Sequence, residues 1–162
     1  MTSRAPSPFE FPALAALRRL LLATLVFGTA GMDAELLLIG HIEGRLQRLP
    51  VLVLGLACLS LVWLAARPSR AAVRGVQTLM TLSVLSGVVG IVLHFQGNTA
   101  FELEMYPDMA GLDLVQKTLT GATPVLAPGS MALLGLVGLA AVLRLPLIQA
   151  PAIEPSAKVA SS

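Results

Sequence analysis

The stretch LLLATLVFGTAGMDAELLLIGHI at residues 20–42 decides the fold class, because it is long and almost wholly apolar. A membrane-spanning helix needs about 20 predominantly apolar residues. Three further segments of this kind occur at residues 50–66, 75–95 and 126–144. The sequence therefore predicts an all-α integral membrane protein, built as a bundle of four spanning helices.

The composition of the whole chain agrees with this prediction. Of its 162 residues, 56% are hydrophobic and 12% are charged, and the mean hydropathy is +0.82. Soluble domains carry about 25% charged residues. Half of that share leaves too little polar surface to keep a globule of this size in water. We therefore expect the lipid bilayer to surround the chain, and we expect no nucleic-acid partner.

The chain divides into three predicted regions. Residues 1–13 contain three prolines and are expected to form a flexible arm. The four-span domain follows at residues 14–146, with a long loop at 96–125 between the third and fourth spans. Within that loop, residues 109–120 place apolar side chains on one helical face, which predicts a short amphipathic helix on the outer surface. The tail at 147–162 has the composition of a disordered segment.

The basic residues are distributed unevenly between the two sides of the predicted bundle. Cytoplasmic loops of membrane proteins carry an excess of Lys and Arg. Only Arg45, Arg48 and Lys117 lie on one side. This asymmetry predicts that both termini are cytoplasmic. The membrane itself is expected to be a bacterial inner (cytoplasmic) membrane. A signal peptide cleaved after Ala30 is an alternative, but the apolar pattern continues through ELLLIG and favours an uncleaved span. The eight basic residues on the side predicted to be cytoplasmic are Arg4, Arg18, Arg19, Arg67, Arg70, Arg74, Arg144 and Lys158.

Stripes of small and polar residues follow two of the predicted spans. On the first span the stripe runs from Thr24 to Glu35, and on the third it ends at His94, with the same spacing. Small residues let membrane helices approach closely. We therefore expect both stripes to face inward, where Glu35 and His94 would form a hydrogen bond. The predicted helix-packing residues are Gly28, Gly31, Ser83, Gly87, Gly90, Gly135 and Gly138.

The first span holds two carboxylates within the apolar region. Asp33 lies about 160° from Glu35 around an ideal helix, so the two cannot share the stripe. Asp33 then requires another helix, an oligomeric partner or a break after Gly31 that lets the two carboxylates converge. The sequence leaves these three arrangements open.

Both histidines and most of the acidic residues collect at the predicted outer end of the bundle. Histidine and carboxylate ligands suit zinc and related divalent ions, and two axial histidines suit haem. The spacing matches no metal motif, so a hydrogen-bonded cluster at the helix ends is the simpler interpretation. If FELEMYP at 101–107 is extended, its two glutamates share one face. The candidate metal ligands are His41, Glu43, His94, Glu102 and Glu104.

Three segments resemble small four-helix membrane proteins of bacteria. They are ELLLIGH at 35–41, HFQGN with FELEMYP at 94–107, and LAPGS at 126–130 before a glycine-rich last span. The resemblance covers most of the chain and implies the architecture alone, because no activity is attached to those proteins.

The sequence contains no serine elbow, phosphate-binding loop or paired catalytic motif, so an enzyme is not the leading expectation. The leading prediction is a non-enzymatic membrane subunit, or an accessory or assembly factor, that packs against another membrane protein or a second copy. One alternative is a small transporter or metal-handling protein that uses the outer His/Glu cluster. Another is a membrane enzyme with an intramembrane carboxylate as proton acceptor.

Overall fold

The computed structural model describes residues 10–142, and this part of the chain folds into five helices without a strand. The predicted tail at 147–162 and most of the predicted N-terminal arm lie outside the described residues, while residues 10–13 are helical. The first three helices are each long and apolar enough to cross a membrane, and the fifth is a shorter apolar helix. The all-α class is confirmed. The helices are α1 (Glu10–Leu38), α2 (Arg45–Ala66), α3 (Arg70–Met105), α4 (Gly111–Leu119) and α5 (Ala127–Val142).

Local sequence explains where α1 ends and α3 begins. Gly40 has φ +70°, a left-handed conformation that glycine adopts at little cost. The N–H of His41 donates to the Leu36 carbonyl, and that of Gly40 donates to the Leu37 carbonyl, which is the Schellman arrangement. The first predicted span therefore stops short of residue 42. Ser69 caps α3, because its side chain accepts a hydrogen bond from the Ala72 N–H at 3.1 Å.

α3 continues well beyond the predicted third span, which ended at residue 95. Hydropathy locates the end of the apolar stretch, whereas a helix continues into polar sequence when its side chains find partners there. The FELEMYP segment is therefore helical as far as Met105, so the extended arrangement considered for it does not occur there. The short amphipathic helix predicted at residues 109–120 is confirmed as α4.

Four helices form a closed ring of neighbours. α1 contacts α2, α2 contacts α3, α3 contacts α5, and α5 contacts α1. Within residues 10–142, the diagonal pairs α1–α3 and α2–α5 have no Cα atoms within 8 Å of each other. The main apolar core lies between the second half of α2, the first half of α3 and the parts of α1 and α5 that face them. It contains Leu25, Ala57, Leu61, Leu64, Ala72, Val73, Val76, Met80 and Val142.

α3 and α5 approach closely over glycines of both helices. A Cβ at Gly135 would lie 2.6 Å from the carbonyl oxygen of Met80, and one at Gly87 would lie 2.7 Å from that of Pro128. Both distances are shorter than any real Cβ contact, so only glycine fits these two positions. The small-residue stripe of α3 therefore faces α5. Ser83, Gly90 and Gly138 belong to the same contact.

α1 presents a different face to the bundle from the one predicted. Leu25 and Thr29 are buried, and the Thr29 hydroxyl donates to the Leu25 carbonyl at 2.8 Å. Gly28 lies against Leu134 of α5, but Gly31 and Glu35 are exposed. The prediction that Gly31 and Glu35 face inward is wrong, because leucine and threonine side chains on a neighbouring face pack against α2 and α5 instead.

Candidate functional site

A cleft of about 450 Å³ lies between α2 and α3, in the half of these helices that the core leaves unfilled. Its lining on α3 runs from Leu82 to Leu93, about 17 Å along the helix axis. Most of its leucines are exposed, so the cleft is open to the surroundings of the protein. The apolar lining consists of Leu46, Leu49, Pro50, Val53, Leu82, Leu85, Val89 and Leu93.

Both histidines of the chain lie at one end of this cleft, which we call the histidine end. His41 comes from the α1–α2 loop and His94 from α3, and their ring centroids are 6.4 Å apart. Burial lowers the pKa of His41 below its ordinary value, because it disfavours the cation, and the nearby His94 lowers it further. Gln47 and Ser86 complete the polar lining.

His94 is oriented by the segment between α4 and α5. Its Nδ1 lies 3.1 Å from the Pro124 carbonyl oxygen. A carbonyl oxygen only accepts hydrogen bonds, so Nδ1 carries the proton and donates it. In the neutral ring, Nε2 is then a free acceptor. The predicted hydrogen bond between His94 and Glu35 is not formed, since Glu35 is exposed on α1 and His94 binds Pro124 instead.

One turn further along α3, Asn98 joins the helix to the same segment. Its Nδ2 donates to the carbonyls of Thr118 and Thr123 at 2.9 and 2.7 Å. Its Oδ1 accepts from the N–H and the hydroxyl of Thr123 at 3.2 and 2.6 Å. Asn98 is only 3% exposed, and these four bonds satisfy its amide. Asn98 was not among the predicted site residues, although its four-residue spacing from His94 places both polar side chains on one face of a helix.

The structure brings together only part of the predicted metal cluster. His41 and His94 are neighbours, but among residues 10–142 no three His, Cys, Asp or Glu side chains are placed to hold one metal ion. Glu43 and Glu104 are exposed, and Glu102 is half-buried on α3. The predicted five-residue site is therefore not assembled here, because the acids extend from the helix ends in different directions.

The two carboxylates of α1 lie on different sides of an unbroken helix, so they do not converge. Asp33 faces α2, where a Cβ at Gly55 would lie 3.2 Å from its Oδ2. Its Oδ1 is buried and has no hydrogen-bond partner within the described residues. Such an oxygen costs about 1–3 kcal/mol in stability relative to a bonded one. Among the three arrangements that the sequence left open, the break after Gly31 does not occur, and Asp33 lies against the neighbouring helix α2.

Comparison with known protein families, with curated protein sequences and with solved structures finds no match to this chain.

Proposed function

We propose that this chain is an integral protein of a bacterial inner (cytoplasmic) membrane that crosses it four times, with both termini cytoplasmic. Three long apolar helices and the closed ring of four neighbours support this placement. The turn between α2 and α3 carries exposed Arg67, and the start of α3 carries exposed Arg70 and Arg74, as expected for a cytoplasmic side. The histidine end then lies at the outer surface.

The amphipathic helix α4 is suited to the outer membrane–water interface. Its apolar face carries Leu112, Val115 and Leu119, and all three are exposed. Its opposite face carries Asp113 and Lys117. A short helix with one exposed apolar face and one charged face is typical of a segment lying in the headgroup region of a bilayer.

The function that we infer is that of a non-enzymatic subunit, or an accessory or assembly factor, that packs α1 against another membrane protein. The observation that carries this proposal is the outward face of α1. It presents small residues together with a carboxylate, and a Cβ at Gly31 would meet no atom within 4 Å. Its small and polar exposed residues are Ala23, Thr24, Ala30, Gly31, Ala34 and Glu35, and they lie between the large exposed side chains Leu20, Phe27 and Leu38.

A lipid-facing helix surface normally carries large apolar side chains. Small residues in a membrane helix typically mark contacts between helices, and an intramembrane acid needs a partner or water. The face of α1 has both features but no helix of the described chain covers it. A helix of a second protein would supply the close packing, and a polar group on that helix would bind Glu35.

Co-purification from gently solubilised membranes tests this proposal. We compare the wild-type chain with Gly31→Leu and with the control Ala140→Leu, which adds the same side chain to an exposed position of α5. A Cβ at Gly31 would meet no atom within 4 Å, and Ala140 is exposed, so both variants should fold. We expect a stoichiometric partner with the wild type and the control, and its loss with Gly31→Leu. Equal recovery of all partners with the three chains, or recovery of none, would contradict the proposal.

A second candidate function, proton transfer by an intramembrane carboxylate, is favoured by the unpartnered Oδ1 of Asp33. A carboxylate in this position exchanges protons only if water or a substrate reaches it. Asp33→Asn keeps the size of the side chain and abolishes its titration. Loss of proton flux in proteoliposomes with this variant, and not with Glu35→Gln, would support this function over the first.

A further inference from the structure

We propose that the cleft between α2 and α3 binds a lipid with a neutral, hydroxyl-bearing head, whose chain lies along the cleft and whose head lies beside His94 at the histidine end. This inference rests on the proposed membrane location of the chain. It does not depend on the partner of α1, because the cleft is formed by other helices.

The shape and the lining of the cleft support a chain-like occupant. Its volume of about 450 Å³ lies within the range of small-molecule sites, which hold roughly 300–1,000 Å³. It is long and apolar, and its exposed rim residues Leu49, Leu85 and Val89 would face the bilayer. A lipid chain can enter from the side without crossing water.

The charges around the cleft favour a neutral head over a phosphate. Within residues 10–142, the lining contains no Asp, Glu, Lys or Arg. Arg45 and Arg48 lie in the first turn of α2 but do not line the cleft, and the Arg48 Nε donates to the Ile42 carbonyl at 2.8 Å. A phosphate at this end would therefore find no lysine or arginine among the lining side chains as its cationic partner.

The hydrogen bonding of His94 specifies a donor on that head. Because Nδ1 donates to the Pro124 carbonyl, the free Nε2 of the neutral ring accepts a hydrogen bond. A hydroxyl group supplies the donor, whereas an ether or ester oxygen cannot. The ligand class is thus an alcohol or a phenol carried on a long apolar chain, such as a hydroquinone.

Equilibrium dialysis of the detergent-purified full chain tests the proposal, with a decyl-substituted hydroquinone kept reduced as the probe. The matched ligand is its dimethyl ether, which has the same shape but no donor. We expect saturable binding of the hydroquinone and about tenfold weaker binding of the ether, since tenfold corresponds to about 1.4 kcal/mol, the order of magnitude of one hydrogen bond.

Two variants locate the binding site. His94→Phe removes the acceptor, and Val89→Trp fills the cleft from an exposed position and leaves both histidines in the sequence. Both should weaken hydroquinone binding about tenfold or more, while the control Leu136→Trp on the exposed face of α5 should not. The proposal would be overturned if the ether and the hydroquinone bound equally well, or if Val89→Trp left hydroquinone binding unchanged. It would also be overturned if phosphatidylglycerol displaced the bound hydroquinone as effectively as unlabelled hydroquinone does. None of these outcomes would alter the co-purification result for α1, so the two proposals fail separately.

Discussion

Asp33 and Glu35 show how strongly two positions on one helix can differ. Their side chains point in nearly opposite directions because successive residues are rotated by about 100°. Glu35 is exposed, whereas Asp33 faces Gly55 with one buried oxygen that lacks a partner. The missing side chain of Gly55 is what leaves room for the carboxylate. The buried Asp33 oxygen therefore lowers the stability of the protein, because no hydrogen bond compensates for its burial.

Asp33→Ala should stabilise the protein, because it removes the buried oxygen without removing a hydrogen bond. Relief of about 1 kcal/mol corresponds to a rise of roughly 2–4 °C in the melting temperature of a chain of this size. Thermal unfolding in detergent measures this rise. Glu35→Ala is the control, and its melting temperature should change by no more than about 1 °C, since the side chain is exposed. A lower melting temperature for Asp33→Ala would show that the carboxylate has a stabilising partner.

The titration of His41 should depend on its neighbour. Burial and the nearby His94 both lower its pKa from the ordinary 6.5. The unfolded chain therefore binds this proton at a higher pH than the folded chain does. The contribution of His41 to stability is complete above about pH 6.5 and is lost as the pH falls from there through the lower pKa of the folded state.

His94→Gln should raise the pKa of His41, because it removes the repulsion between the two rings. The pKa should stay below the ordinary value, since burial still disfavours the cation. NMR titration of the His41 ring carbon signal gives this pKa directly, and in the variant His41 is the only histidine in the sequence. An unchanged or lower pKa in the variant would contradict the assigned role of His94.

At the scale of elements, the C-terminal part of α3 determines where α4 lies. Asn98 donates hydrogen bonds to Thr118 in the last turn of α4 and to Thr123 in the segment that follows α4. In addition, the Thr99 and Thr118 hydroxyls are 3.2 Å apart. The sequence predicted α4 because its apolar residues repeat with helical spacing, which is a local property. It did not predict the connection to α3, because one buried asparagine is not distinguishable from a surface asparagine without knowledge of its partners.

Asn98→Asp should release α4 from α3. The change keeps the size of the side chain but replaces the donating Nδ2 with an acceptor that faces two carbonyl oxygens. We expect a local loss on the order of 3 kcal/mol, or about 100-fold less hydrogen-exchange protection in α4. Gln96→Glu makes the same chemical change at an exposed position of the same helix and should leave the protection unchanged. Equal protection in both variants would show that other contacts hold α4.

At the scale of the whole molecule, hydropathy predicted the helical class and the approximate places of the apolar helices. It did so because apolar length is visible residue by residue. The rotation of α1 was not predictable in the same way, since Gly28 and Gly31 are equally small and only Gly28 has Leu134 beside it. The prediction of a five-residue metal site was not confirmed, for a related reason. Nearness of His41 and the acids along the sequence does not bring their side chains to one point.

The proposed direction in which the bundle crosses the membrane rests on the placement of its basic residues. Eight of the eleven Lys and Arg residues lie on the side predicted to be cytoplasmic, and three lie on the other side. Cysteine labelling on intact cells tests this direction in a Cys58→Ala chain, which has no other thiol. The two reporter positions are Ala122, between α4 and α5, and Pro68, between α2 and α3, and both are exposed.

An impermeant maleimide should label Ala122→Cys on intact cells and Pro68→Cys only after the cells are permeabilised. The two reporters lie at opposite ends of α3, so each serves as the control for the other. The reversed pattern would place the histidine end in the cytoplasm and would contradict the positive-inside assignment. Labelling of both positions in intact cells would contradict a membrane-spanning α3. In that case the exposed apolar surface of the helices would need a protein partner in place of lipid.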